Sequence, residues 1–190
     1  QSSPDLTEET PFNFSYPNPY IKSQQMVEEI IRDTARTDNE WKIAILRLCN
    51  ISGAFEHGVL GEVVPPLPKN IVPLAMQVGA LQRESIELRK QANTEDKTVE
   101  RSFLHVLDAC DAVLASLHWL STQQGCLESF NIAHNDLTSI SKLIEEISKV
   151  TKMEIRVQPA VYQHEELSQL GANIDKAAKI LNWTPKRSLT

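Results

Sequence analysis

The run Trp41 to Leu48, WKIAILRL, constrains this fold more than any other segment. It is β-branched and apolar between polar flanks, without the strict alternation of a strand that faces water on one side. It is read as a buried strand, which requires helices on its faces and neighbours on its edges. Phe130 to Ala133 reads as a second buried strand, and Ile86 to Leu88 and Ile155 to Val157 as shorter ones.

Between these runs the apolar residues recur at helical spacing. Val27, Ile30, Ile31 and Ala35 mark a helix over Tyr20 to Arg36, and Asn70 to Arg83 reads as another. Ala112, Leu114, Ala115, Leu117 and Leu120 mark Leu107 to Thr122. Ile140, Leu143, Ile144 and Ile147 stripe Ser139 to Thr151, a face expected to be core rather than an interaction surface. Asp175 to Leu181 is a last short helix. Strands alternating with helices specify an α/β architecture.

Gln1 to Asn18 is a polar lead-in broken by Pro4, Pro11 and Pro17, and Pro17-Asn18-Pro19 opens the first helix with proline in its permitted first turn. A loop runs through Gly53, Gly58 and Gly61 to Pro65, Pro66 and Pro68, Asn93 to Lys97 is a polar turn, and Phe103 to Val106 begins a further element. The chain starts at Gln1 and its first methionine is Met26, so it is read as processed or as part of something longer.

With 19 basic and 25 acidic residues the net charge is −6. That balance argues against nucleic acid or an anionic membrane surface as main partner, because both need clustered positive charge. No apolar run reaches the roughly 18 to 20 residues of a membrane-inserted helix. Cys49, Cys110 and Cys126 are too few and too scattered for a disulfide framework or a metal site. They suit an intracellular reducing compartment, as small buried hydrophobes. His57, His105, His118, His134 and His164 show no metal-ligand spacing, so no metal is assigned.

Seven segments in order resemble the UDP-galactose (UDP-glucose) 4-epimerase family of extended short-chain dehydrogenases/reductases. Asn18-Pro19-Tyr20-Ile21-Lys22-Ser23-Gln24, followed by Met26-Val27-Glu28-Glu29-Ile30, resembles the family's NPYGKSK-x-MVEEI helix. Ala44 to Asn50 resembles its I-x-LRYFN strand, and Gly53 to Glu62 its GAHESGLIGE loop. Pro68-Lys69-Asn70-Ile71-Val72-Pro73, with Gln77-Val78, resembles PNNLMP…QV. Arg101 to Asp108 resembles RDYIHV-x-D, Phe130-Asn131-Ile132 part of YNLG, and Ala172, Lys176-Ala177 and Leu181-Asn182-Trp183 the closing segment.

The resemblance implies a partial NAD(P)-binding Rossmann-like fold: the last strands of a parallel sheet plus the small α/β substrate domain. Residues 1–50 would hold the catalytic-tyrosine helix and a sheet strand. Residues 51–190 would be mainly the sugar-nucleotide domain with one returning strand. The N-terminal dinucleotide-binding half, with its glycine-rich turn, is expected to be absent, as is a C-terminal helical tail.

The family pairs a tyrosine with a lysine four residues on, so that the lysine's charge favours phenolate and holds the nicotinamide ribose. The corresponding residues here are Tyr20 and Gln24. An amide is neutral, and an unassisted phenol, ionising near 10, is phenolate in only about a thousandth of molecules at neutral pH. Lys22 is two residues on, toward another side of the helix. Tyr20 then reads as a vestigial acid/base or as a helix-capping residue against the core.

Asn50 and Asn70 match UDP-sugar contacts of the family and Arg101 a diphosphate contact. Their plainer roles are backbone-bonding loop residues and a surface ion pair with Glu100. The family's diphosphate arginine segment, R-x-G-D, aligns with Gln163-His164-Glu165-Glu166, and the glycine turn after the last strand with His134-Asn135-Asp136. Replacing a cationic fork by neutral and acidic groups weakens diphosphate attraction.

The leading expectation is therefore a pseudoenzyme, a structural or interaction subunit of a larger assembly. Another chain, or a missing N-terminal half, would cover the exposed sheet edge. The second reading is an NAD-dependent UDP-glucose 4-epimerase of galactose metabolism seen in part, and the third a UDP-sugar binding protein without turnover. No cofactor is expected for this chain alone, and NAD only under the enzyme reading.

Overall fold

The computed structural model describes residues 6–63, 68, 70–90, 92–160 and 167–189. Pro19 opens helix α1 (Pro19–Ala35), and the Asn18 side-chain oxygen caps it by accepting from the Ile21 amide at 3.1 Å. Strand β1 (Lys42–Leu48) pairs in parallel with β5 (Cys126–Ile132), Lys42 opposite Cys126 and Leu48 opposite Ile132. α1 covers one face of this pair. The other face carries α3 (Val106–Ser121) and α5 (Asp175–Ile180), packed on Phe130 and Ile132 with Ala44 and Leu46 alongside. Phe130 is fully buried and meets Trp119 edge-on, ring centres 5.3 Å apart.

β1 runs through Cys49, whose amide donates to the Ile132 carbonyl, straight into β2 (Asn50–Ser52). That short strand joins a second sheet built on β4 (Glu100–His105). β2 lies parallel to β4, β6 (Leu137–Ser139) antiparallel, and β8 (Gln169–Leu170) parallel. α2 (Ile71–Gly79) and α4 (Ile140–Thr151) pack here with β3 (Ile86–Leu88), which pairs with β7 (Val157–Pro159). The period of two along β4 sends Phe103 into this core and Leu104 into the core beneath β1 and β5, so one strand ties both layers together.

The α/β expectation holds, and the α4 stripe of Ile140, Leu143, Ile144 and Ile147 is core. Several details differ. β5 begins four residues ahead of the expected Phe130 and stops at Ile132, and α2 ends at Gly79 rather than Arg83. β1 is half-buried along its middle with both ends exposed, because only β5 pairs with it among the described residues. The run expected at Ile155 to Val157 is a strand only from Val157, Ile155 being a buried core residue ahead of it. Cys110 is exposed on α3, whereas Cys49 and Cys126 are half-buried.

Candidate functional site

Tyr20 and Gln24 stand one helical turn apart at the start of α1, and both are exposed, Tyr20 at 72%. The capping role against the core is thus overturned: the phenol projects outward, and Asn18 is the cap. A buried carboxylate one turn beyond Gln24 holds the helix in its orientation. Glu28 is buried and accepts two bonds from one guanidinium, Arg47 Nε at 3.0 Å and Nη2 at 2.7 Å. Arg32 Nη2 donates to the same carboxylate at 2.7 Å and to Ser129 Oγ at 2.6 Å. Burial alone would raise the Glu28 carboxyl, but the Arg47 and Arg32 bonds and charges outweigh it and hold the carboxyl below the ordinary range. The Arg47 guanidinium also lies over the Phe12 ring, 5.3 Å from its centre, fastening the lead-in segment.

Asn50 and Arg101 are brought together on the paired strands β2 and β4. Asn50 lies opposite Phe103, two residues beyond Arg101, and its Nδ2 donates to the Ser102 carbonyl at 3.2 Å while the residue stays exposed. Arg101 is half-buried, its Nη1 donating to the carbonyls of Glu100 at 2.9 Å and Leu167 at 2.8 Å. Asn70 is exposed at the cap position of α2, with no side-chain cap bond. Tyr20 belongs to the other layer, on the helix over β1 and β5. The segment Gln163 to Glu166 lies outside the described residues.

The structure adds a cavity of about 270 Å³ beside β4, walled by Phe103 and Leu143 with Ser52, His105, Glu146 and Arg187 among its polar groups. His105 Nδ1 accepts the Leu107 amide at 3.1 Å and so caps α3. Its ring lies so close to Gly53, at φ +87°, that a Cβ there would meet ring atoms at 2.7 Å. Arg187 closes the wall through the fully buried Asp108, whose Oδ2 also accepts the Lys186 and Arg187 amides at 3.1 and 2.9 Å. Gly53 and the stretch Phe103 to Asp108 fall in segments that resemble the family, but no local pattern joins them to Glu146 or Arg187. Burial raises the Cys49 thiol above its ordinary value, the mark of an inert packing cysteine.

The residues present do not fit a dinucleotide. The sequence has six glycines and no strand–turn–helix with glycine-rich spacing to cradle a pyrophosphate. Among the described residues no group of three or more His, Cys, Asp or Glu could hold a metal ion.

Residues 1–133 match the NAD dependent epimerase/dehydratase family. UDP-glucose 4-epimerase 2 of Arabidopsis thaliana is 32% identical over 184 residues, which is 96% of this chain and 52% of that protein. UDP-glucose 4-epimerase of Homo sapiens is 30% identical over 168 residues, 88% of this chain and 48% of the human protein. The crystal structure of UDP-glucose 4-epimerase from Bifidobacterium longum in complex with NAD+ and UDP superposes with a TM-score of 0.91 at 26% identity, covering 97% of this chain and 55% of that one. The chain spans about half the length of the curated relatives it matches.

Proposed function

The chain belongs to the NAD dependent epimerase/dehydratase family, and on that premise we propose that it is an epimerase-like pseudoenzyme that keeps the sugar-nucleotide scaffold and serves as a structural or interaction subunit. Position 24 carries this reading. Tyr20 is available at the start of α1, but the side chain one turn further on is the neutral amide of Gln24. An amide supplies no positive charge to stabilise phenolate, so the proton transfer that would open a redox cycle at a sugar hydroxyl lacks its base. Lys22, two residues on, occupies a different side of the helix. The engagement of Arg101 Nη1 with two backbone carbonyls ties that arginine to the fold as well. The test is turnover by the natural protein given UDP-galactose and NAD. No conversion above the buffer rate is expected, and conversion at an enzymatic pace of about 1 s⁻¹ or faster overturns the reading. A Gln24→Lys variant that gains no activity favours this reading over the enzyme reading.

A second reading, UDP-glucose 4-epimerase seen in part, is favoured by the retention of Tyr20 together with Asn50, Asn70 and Arg101 and by the names of the relatives. Under it Tyr20 is the acid/base, and Asn50, Asn70 and Arg101 hold a UDP-sugar. NAD would supply hydride chemistry from a half of the fold that this chain does not contain. Calorimetry with UDP-glucose separates the remaining possibility, a sugar-nucleotide binder without turnover, from a protein that has lost both functions.

A further inference from the structure

Beyond α5, residues 183–189 form a strap that belongs to no helix or strand and is fastened by side chains. Trp183 is buried, and its Nε1 donates to the Asp108 carbonyl at 3.0 Å. The Lys186 and Arg187 amides donate to Asp108 Oδ2 at 3.1 and 2.9 Å. Arg187 Nη1 donates to Asp108 Oδ1 and, at 3.4 Å, to Asp111 Oδ2. Lys186 Nζ stands 3.7 Å from that same Asp111 oxygen. The Asp108 side chain is fully buried on the first turn of α3, so its charge is sustained by these partners alone.

Thr184 lies within this strap, exposed, at the head of the run Thr184-Pro185-Lys186-Arg187. The residue before a proline is biased to extended backbone, the form in which a peptide lies along a kinase cleft. A proline immediately after the threonine, with a basic residue three positions on, is the pattern read by proline-directed serine/threonine kinases. The other Thr-Pro pair, Thr10-Pro11, lacks the exposure and the basic residue. Thr10 is half-buried, its Oγ1 accepts the Thr7 amide at 3.1 Å, and Asn13 stands three positions on.

We propose that Thr184 is a phosphorylation site for a proline-directed kinase, and that its phosphate draws Arg187 from Asp108 and releases the strap from α3. In the transfer, Thr184 Oγ1 attacks the γ-phosphorus of ATP. The new O–P bond forms as the bond from that phosphorus to the β–γ bridging oxygen breaks. ADP leaves with the electron pair, and the hydroxyl proton passes to the kinase's catalytic carboxylate. The phosphate brings a charge of about −1.5 to −2 at neutral pH and three strong acceptor oxygens. Lys186 and Arg187, two and three residues on, are the cations nearest in sequence for a charge-assisted bond. Asp108 and Asp111, the present partners of Arg187, repel the added charge. Once Arg187 turns to the phosphate, Asp108 is left buried without its cation, and the strap loses its anchor. The switch is independent of whether turnover survives.

The test incubates the full 190-residue chain with ATP and a cyclin-dependent kinase and places the phosphate by fragment mass. Incorporation at Thr184 about tenfold faster than at Thr10 is expected, and Thr184→Ala, at an exposed position, should remove it. The phosphorylated chain should exchange its Lys186 and Arg187 amides about tenfold faster than the unmodified chain, with exchange over 44–48 unchanged and phosphatase restoring the original rates. Phosphorus NMR should show the phosphate's second ionisation below its ordinary value of about 6, because a paired guanidinium favours the dianion. No phosphate at Thr184, or equal incorporation at Thr10, overturns the site. Phosphate at Thr184 with unchanged exchange at 186 and 187, or with an ordinary second ionisation, overturns the switch.

Discussion

Replacing Glu28 by glutamine removes one negative charge from the point where α1 is fastened to the sheet. The carboxylate is only 8% exposed and receives four hydrogen bonds, two from Arg47, one from Arg32 and one from Ser129. Removing one partner of a fully buried ion pair costs about 3–5 kcal/mol, because the other charge is left stranded. Here the stranded heads reach water in part, Arg47 at 24% and Arg32 at 30% exposed, and glutamine keeps one acceptor oxygen. The expected loss is therefore about 2–3 kcal/mol at neutral pH. Urea unfolding followed by far-UV circular dichroism reads it as a lowered midpoint at constant slope. The pH dependence has a definite sign. Because the folded carboxyl is held below its unfolded value, its contribution is full above about pH 4.3 and disappears as pH falls through the lower, folded value. The gap between the native protein and Glu28→Gln should narrow on acidification through that range. An equal gap at pH 7 and in strong acid, or less than about 0.5 kcal/mol at pH 7, would refute the account of how α1 is held.

Phe130→Ala deletes a fully buried ring that packs edge-on against Trp119. It should cost about 3–5 kcal/mol in the same urea experiment. Gly53→Ala places a methyl 2.7 Å from the His105 ring at a φ of +87°. A loss of more than about 1 kcal/mol is expected, read as a lowered thermal midpoint, with α3 amides near Leu107 exchanging faster as the ring is pushed off its cap.

The fold was legible wherever an element carries its own periodic signal. β3 falls on the residues that the apolar run indicates, and α1, α3 and α4 differ from their expected spans by a residue or two, because each has several core positions at one spacing. β2, β6 and β8 escaped notice because, unlike Ile86 and Leu88 of β3, their two or three residues place no buried apolar pair at alternate positions. They are strands only because β4 lies beside them, and what marks them is a partner tens of residues away. The burial assigned to β1 failed for the opposite reason. Its composition reports a strand with neighbours on both sides, whereas the structure supplies one of them.

The site divides along the same line. Tyr20 and Gln24 were readable because four residues on a helix fix which side chains share a face, while the bond from Asn50 to Ser102 and that from Arg101 to Leu167 span 52 and 66 residues. What holds α1 in place is Glu28, one turn beyond Gln24, and an exposed residue such as Gln24 adds within about 0.5 kcal/mol to folding. A lineage can therefore exchange ammonium for amide at position 24 and keep its backbone. A TM-score of 0.91 to an NAD-bound relative is then what either a working or a silent descendant would give, since the fold is stabilised at Glu28 and Phe130 and the chemistry is decided elsewhere.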